Sequence, residues 1–279
     1  MANILLALDA TNPDMNALDF ACYLAKSTHG TLKVISVKNE HASTVPVVAL
    51  WPYLKNTANA RSSVPVKSDP VEPSCNNCGQ PFSDACQNRG VNATIDCNEE
   101  TGFYDIVAMT RFADLLIVGS GTSLNNSVPD SLSGFVKNLL RQAECPVIIP
   151  PARFERIDRI VFAYNGSKSS VFAIKQFTYL FPQLSHIPVT VLEINKHYDL
   201  KITERNNMRD WLQKHYPKVE FEVLNGSAPF TLFRYFLGKE NMLLVIGSFG
   251  RTILSEAFKP GAATKVLKYI DVPVFITHH

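Results

Sequence analysis

Most of what marks a membrane protein or an enzyme is missing from this 279-residue chain. No apolar run approaches the ~20 residues needed to span a bilayer. The opening Met1-Ala2-Asn3-Ile4 carries no basic stretch, and its apolar run ends at Asp9. It therefore reads as a strand and not as a secretory leader, and a cytoplasmic location without a membrane partner is expected. No long basic run is present, and 27 Lys+Arg against 25 Asp+Glu leave a net charge of +2. That balance argues against a nucleic-acid partner, which calls for a basic patch. There is no Walker loop with its lysine and no Gly-x-Ser-x-Gly elbow. The run Gly119-Ser-Gly121-Thr-Ser-Leu124 fails as a Gly-x-Gly-x-x-Gly fingerprint at its third glycine. His29, His41, His186, His197 and His215 are scattered at predicted element ends without metal-ligand spacing. Asp105 and Asp114 flank a predicted helix and read as caps or solvated charges. A non-catalytic protein is expected.

What the chain does contain is a repetition. Asp114-Leu-Leu-Ile-Val-Gly119-Ser120, a helical stretch and Cys145-Pro146-Val-Ile-Ile149 are matched by Met242-Leu-Leu-Val-Ile-Gly247-Ser248, a helical stretch and Val272-Pro273-Val-Phe-Ile276. Ile4-Leu-Leu-Ala-Leu-Asp9 likewise matches Ile160-Val-Phe-Ala-Tyr-Asn165. A unit this long implies two copies of one domain, not a solenoid of short repeats. Any site should then occur twice.

Each copy alternates apolar runs with helical periodicity. Ile4–Leu8, Thr31–Val37, Val91–Asp96, Leu115–Val118 and Val147–Ile149 read as strands of the first copy; Ile160–Tyr164, Val189–Ile194, Val219–Leu224, Leu243–Ile246 and Val274–Ile276 read as those of the second. Such alternation predicts an α/β fold, with a doubly wound parallel sheet covered by helices on both faces. The domains are placed at 1–152 and 157–279, with the boundary after Pro150-Pro151. Asp9 pairs with Asn165 at an offset of 156, whereas Gly119 pairs with Gly247 at 128, so the first copy holds 28 extra residues. They fall at about 39–89, a stretch rich in Ser, Asn, Pro and Cys that reads as an irregular excursion with one helix near Ala49–Ala60.

Cys75, Cys78, Cys86 and Cys97 sit in or beside this excursion, and no cysteine follows Cys145. Cys75-Asn-Asn-Cys78-Gly79 is a knuckle on which two thiolates reach one ion, and four thiolates could close a tetrahedral zinc site. Loop thiols or a Cys75–Cys78 redox pair are the alternatives. Cys22 and Cys145 read as core residues.

Ligands of parallel α/β sheets bind beyond the carboxyl ends of strands. Asp9 stands just past the first strand, and Gly119 and Gly247 just past the fourth, where a glycine lets backbone N–H groups approach a phosphate. Gly247-Ser-Phe-Gly250-Arg251 continues through nine residues, Arg251 to Lys259, to Pro260-Gly261. Arg251 is either a phosphate contact or a solvated helix-start residue. With this combination the chain resembles a tandem universal stress protein over nearly its whole length outside the excursion. The resemblance implies two five-stranded parallel domains of strand order 3-2-1-4-5 related by a pseudo-two-fold. In nucleotide-binding members, Gly-x-x-Gly, nine residues and Gly-Ser/Thr hold ATP phosphates and ribose, and an Asp after the first strand contacts adenine or ribose. Carried over, this gives Asp9, Gly119, Gly247, Gly250, Arg251 and Gly261 as candidate contacts for ATP or AMP. Neither half holds the full set. Pro260-Gly261 replaces Gly-Ser, Asn165 replaces the Asp, and in the first half Thr122 replaces the second glycine, followed by a ten-residue spacer to Ser133-Gly134.

Three functions follow as expectations. The first is a non-catalytic stress-response protein with a degenerate nucleotide site. Its copies pair as an internal pseudo-dimer through Val147–Ile149 and Val274–Ile276, with room for further homo-oligomers. The second is an ATP- or AMP-binding sensor or weak ATPase. The third is a zinc-stabilised interaction module with an unknown protein partner.

Overall fold

A computed structural model describes residues 1–9, 13–37, 79–97, 101–122, 132–195, 202–247 and 271–277. The expected helix near Ala49–Ala60 and the helical stretch expected after Gly247-Ser248 lie outside these residues.

In the first half, the strands are β1 (Asn3–Asp9), β2 (Thr31–Val37), β3 (Ala93–Asp96), β4 (Leu115–Val118) and β5 (Val147–Ile149). The helices are α1 (Met15–Thr28), α2 (Gln80–Asn88), α3 (Phe103–Thr110) and α4 (Gly134–Gln142). The second half contributes β6 (Arg159–Tyr164), α5 (Lys168–Leu180), β7 (Val189–Asn195), α6 (Ile202–Leu212), β8 (Val219–Asn225), α7 (Ala228–Phe236), β9 (Met242–Ile246) and β10 (Val274–Ile276).

All ten strands form one sheet in the order β3-β2-β1-β4-β5-β10-β9-β6-β7-β8, so each half has the order 3-2-1-4-5. Every pairing is parallel except the central one, where Val274 opposes Ile149, Phe275 opposes Ile148 and Ile276 opposes Val147 in antiparallel register. Runs buried on both faces explain the unbroken apolar strands: all four residues of β4 are fully buried.

Alternation along the strands separates two cores. Ile4, Leu6 and Leu8 of β1 join Leu18 and Leu24 of α1, Phe162 of β6, Phe177 of α5 and Phe275 of β10 on one face. Leu5 and Ala7 join Val136 and Leu139 of α4, Val161 of β6, Leu232 of α7 and Val274 on the other. Each core runs across both halves. Phe177 packs against Phe162, Phe181 and Phe275 with ring centroids 5.9, 5.0 and 5.2 Å apart. Truncating such a ring typically costs about 3–5 kcal/mol. Between the halves, Phe154 packs against Phe20 and Tyr23 of α1 at 4.9 and 4.8 Å.

Helix α2 revises the reading of 39–89 as an irregular excursion whose one helix lies near Ala49–Ala60. Gln80–Asn88 is a crossover helix from β2 toward β3, as α6 is between β7 and β8. It buries Phe82 and Cys86 on the face shared with α1.

Candidate functional site

The candidate site lies beyond the carboxyl ends of β1 and β4 in the first half, and of β6 and β9 in the second. In the first half, Asp9 closes β1 and is half-buried. The chain then enters α1 through Asp14, whose Oδ1 accepts hydrogen bonds from the Asn16 and Ala17 amides at 3.0 and 3.1 Å. Gly119 follows β4, and a Cβ placed on it would lie 3.0 Å from Asp14 Oδ2 and 3.2 Å from Thr122 Oγ1. The turn therefore packs against the cap of α1, with a carboxylate where a phosphate would need donors. Ser133, which stands in the Gly-Ser slot, is buried at 3% exposure. Its hydroxyl donates to the Thr122 carbonyl and accepts from the Val136 amide at 3.1 Å, and its own amide donates to Ser120 O at 3.2 Å. Both hydrogen-bonding functions of that hydroxyl are occupied in capping α4 and tying the turn shut.

The second half closes more tightly. A Cβ on Gly247 would fall 2.1 Å from the carbonyl oxygen of Ser169 and 2.9 Å from the amide nitrogen of Ser170. The first turn of α5 thus lies directly against the backbone of residue 247. Asn165, the counterpart of Asp9, accepts from the Ser167 amide at 3.0 Å, and Ser167 Oγ accepts from the Ser170 amide at 3.2 Å. These side chains turn the chain into α5. Gly250, Arg251 and Gly261 lie outside the described residues. Of the three nucleotide candidates among the described residues, Asp9 and Gly119 stand at neighbouring strand ends in one half, and Gly247 follows β9 in the other.

A charged pair at the same end of the sheet was not anticipated. Glu193, fully buried near the end of β7, accepts from Arg205 of α6 in a bidentate pair, Nε–Oε2 at 2.9 Å and Nη2–Oε1 at 2.8 Å. Its signal in the sequence is one acidic residue inside the apolar run Val189–Ile194. The Tyr164 hydroxyl, at the end of β6, donates to Glu204 O at 3.4 Å, and burial pushes its pKa up. The arrangement holds α6 over the strand ends. It brings no nucleophile and base together.

Two of the four thiols of the zinc expectation, Cys86 and Cys97, lie among the described residues. Cys86 is fully buried in the core that α2 shares with α1. The helical turn of α2 points it into the core, which the spacing of cysteines along the chain does not reveal. Cys97 is half-buried past β3, its Sγ 3.5 Å from where a Cβ on Gly79 would fall. Cys75 and Cys78 lie outside the described residues, and no group of three or more His, Cys, Asp or Glu is placed to hold a metal among the described ones. Cys22 and Cys145 are core residues, as expected. Among the described residues, no helix is long and apolar enough to cross a membrane. Asp105 caps α3 by accepting from the Gly102 amide at 2.9 Å, and Asp114 accepts from the Asn3 amide at 2.7 Å.

Comparison with known proteins agrees with this fold. The profile of the universal stress protein family matches residues 1–151. A universal stress protein of Synechocystis sp. is 23% identical over 285 residues, covering 98% of this chain and 99% of its own. The crystal structure of a universal stress protein from Archaeoglobus fulgidus superposes with a TM-score of 0.62 at 15% identity, covering 99% of this chain and 96% of the other. A putative universal stress protein from Pseudomonas aeruginosa does so with a TM-score of 0.57 at 14% identity, covering 99% and 93%.

Proposed function

Because the chain belongs to the universal stress protein family, we propose that it is a non-catalytic stress-response protein whose halves act as an internal pseudo-dimer and whose nucleotide site has become structural. One observation carries this reading: a Cβ on Gly247 would meet the Ser169 carbonyl at 2.1 Å. Helix α5, not a ligand, accounts for the glycine there. Two further features support it. Ser133 is already engaged on both sides of its hydroxyl, and the Asp14 carboxylate faces Gly119. The pseudo-dimer reading draws on the antiparallel pairing of β5 with β10.

The test is thermal denaturation of the full chain with magnesium and millimolar ATP or AMP, alongside an assay for released phosphate. The expected result is an unchanged midpoint and no hydrolysis. A ligand present at about 100 times its Kd would add about 2.7 kcal/mol of stability. A rise of that size, abolished in Gly250→Val, would overturn this reading in favour of a nucleotide sensor.

A further inference from the structure

The halves meet along β5 and β10, and the spaces on the α1 and α5 sides of that joint differ. On the α1 side the segment joining the halves fills the space. The Ala152 amide donates to the Asp271 carboxylate at 2.6 Å, and the Phe154 ring packs against Phe20 and Tyr23. On the α5 side lies a cavity of about 230 Å³ whose wall includes Asp114, Glu144, Cys145, Phe172, Gln176 and Thr277. The positions correspond. Glu144 and Asp271 each stand two residues before the proline that opens a final strand, and Thr277 and Pro150 each follow such a strand. Gln176 and Tyr23 each stand nine residues after a helix N-cap, Ser167 and Asp14. The joining segment occurs once, so its N–H donor and its ring serve only one of the two spaces. We propose that the cavity on the α5 side binds a small arylalkyl ammonium compound, a primary amine on a short chain that carries one aromatic ring.

This cavity is separate from the candidate nucleotide site, because Asp114 precedes β4 and Gly119 follows it. Charge selects a cation. Asp114 and Glu144 are both exposed in the wall, and the nearby Arg111 guanidinium is engaged by both Glu144 oxygens at 2.9 and 2.7 Å. Asp114 Oδ2 accepts from the Asn3 amide at 2.7 Å, which leaves Oδ1 for the ammonium group. Thr277 is 2% exposed, and its Oγ1 is the one buried side-chain oxygen or nitrogen without a hydrogen-bond partner among the described residues. Such an orphan calls for an explanation, and a donor carried by a ligand supplies one. The Gln176 amide oxygen offers a further acceptor. Phe172 provides an aromatic wall that suits both a ring and a cation. Size sets the limit. An apolar cavity of about 150 Å³ holds benzene, and sites for drug-sized ligands begin at roughly 300 Å³. The space therefore takes one ring with a short chain.

The experiment is calorimetric titration of the full chain with 2-phenylethylammonium chloride, with 2-phenylethanol as the neutral control. The expected result is saturable binding of one ammonium ligand per chain and binding of the alcohol weaker by about tenfold or more. Asp114→Asn keeps an acceptor for the Asn3 amide and should weaken the ammonium ligand by about tenfold. Thr277→Val removes a hydroxyl that has no partner and should weaken it less. Gln176→Tyr puts the side chain of its counterpart Tyr23 into the cavity and should abolish binding. Thermal midpoints of the three variants check that each is folded. No saturable heat at about 10 mM ligand, equal affinity for the alcohol, or unchanged affinity in folded Asp114→Asn or Gln176→Tyr would overturn the assignment.

Discussion

The two halves share a strand order yet hold the ends of their strands together by different means. In the first, Gly119 packs against the Asp14 side chain, whose Oδ2 can shift by a few tenths of an ångström. In the second, Gly247 packs against the main chain of α5, which cannot. At the paired positions on their second strands, the first half has Ser36 and the second has the buried Glu193 held by Arg205. The correspondence follows from the register, since Leu32 pairs with Ile4 as Val189 pairs with Ile160. One architecture therefore tolerates either a soft closure or a rigid, charged one. The same glycine in the two repeats answers to different neighbours.

That contrast is sharpest at the glycines. Gly247→Ala should destabilise the protein by about 3 kcal/mol, at the upper end for overpacking, because the new methyl meets backbone. Gly119→Ala should cost about 1 kcal/mol, because the Asp14 carboxylate gives way. Urea denaturation of the two variants checks this, and equal losses would erase the distinction. Next comes the charged pair. Glu193→Ala leaves Arg205 without its buried partner and should cost about 2–3 kcal/mol, below the usual 3–5 because Arg205 retains some solvent access. The paired change Ser36→Ala should be close to neutral by the same measurement, about 0.5 kcal/mol or less.

A further effect separates the halves by pH. Burial pushes the Cys145 thiol from 9.0 to about 12 and the Tyr216 phenol from 10.0 to about 12. Both groups are neutral when protonated and have raised folded-state values. Their stabilising contributions are therefore complete below the unfolded value and fade as pH rises toward the folded one. Thermal midpoints should begin to fall above pH 9 through the first half and more steeply above pH 10 through the second. Tyr216→Phe should flatten the steeper part by on the order of 1 kcal/mol. It should also lower the neutral-pH midpoint slightly, because the 3.0 Å bond to Thr178 is lost. An unchanged alkaline slope in Tyr216→Phe would assign the fall elsewhere.

The architecture was legible because strands covered on both faces must be apolar throughout. Ile4–Leu8, Leu115–Val118 and Leu243–Ile246 announce themselves without any partner in view. Repetition then supplied the strand order through a family resemblance. Helix α2 escaped notice because its apolar face is only Phe82, Ala85 and Cys86, set behind a proline and next to a polar, cysteine-bearing stretch. The burial of Cys86 escaped notice for a related reason: spacing along the chain does not say which way a helix turns its side chains. At the candidate site, the glycines after β4 and β9 were found by position. Their neighbours were not, since Asp14 and Ser169 reach them only through the packing of first helices onto the sheet. Glu193 carried a signal of its own, a carboxylate within an apolar strand, and Arg205 on α6 carried none.

The antiparallel register of β5 with β10 has a consequence for synthesis on the ribosome. The flank of the first half that β10 covers belongs to the last strand of that half, while the covering residues 274–276 emerge only after the rest of the second half. Until then Val147–Ile149 presents unpaired backbone on one side, an invitation to pair with another nascent chain. The joint between the halves is thus also a timing device: the β5 edge is covered only when its closing strand is delivered.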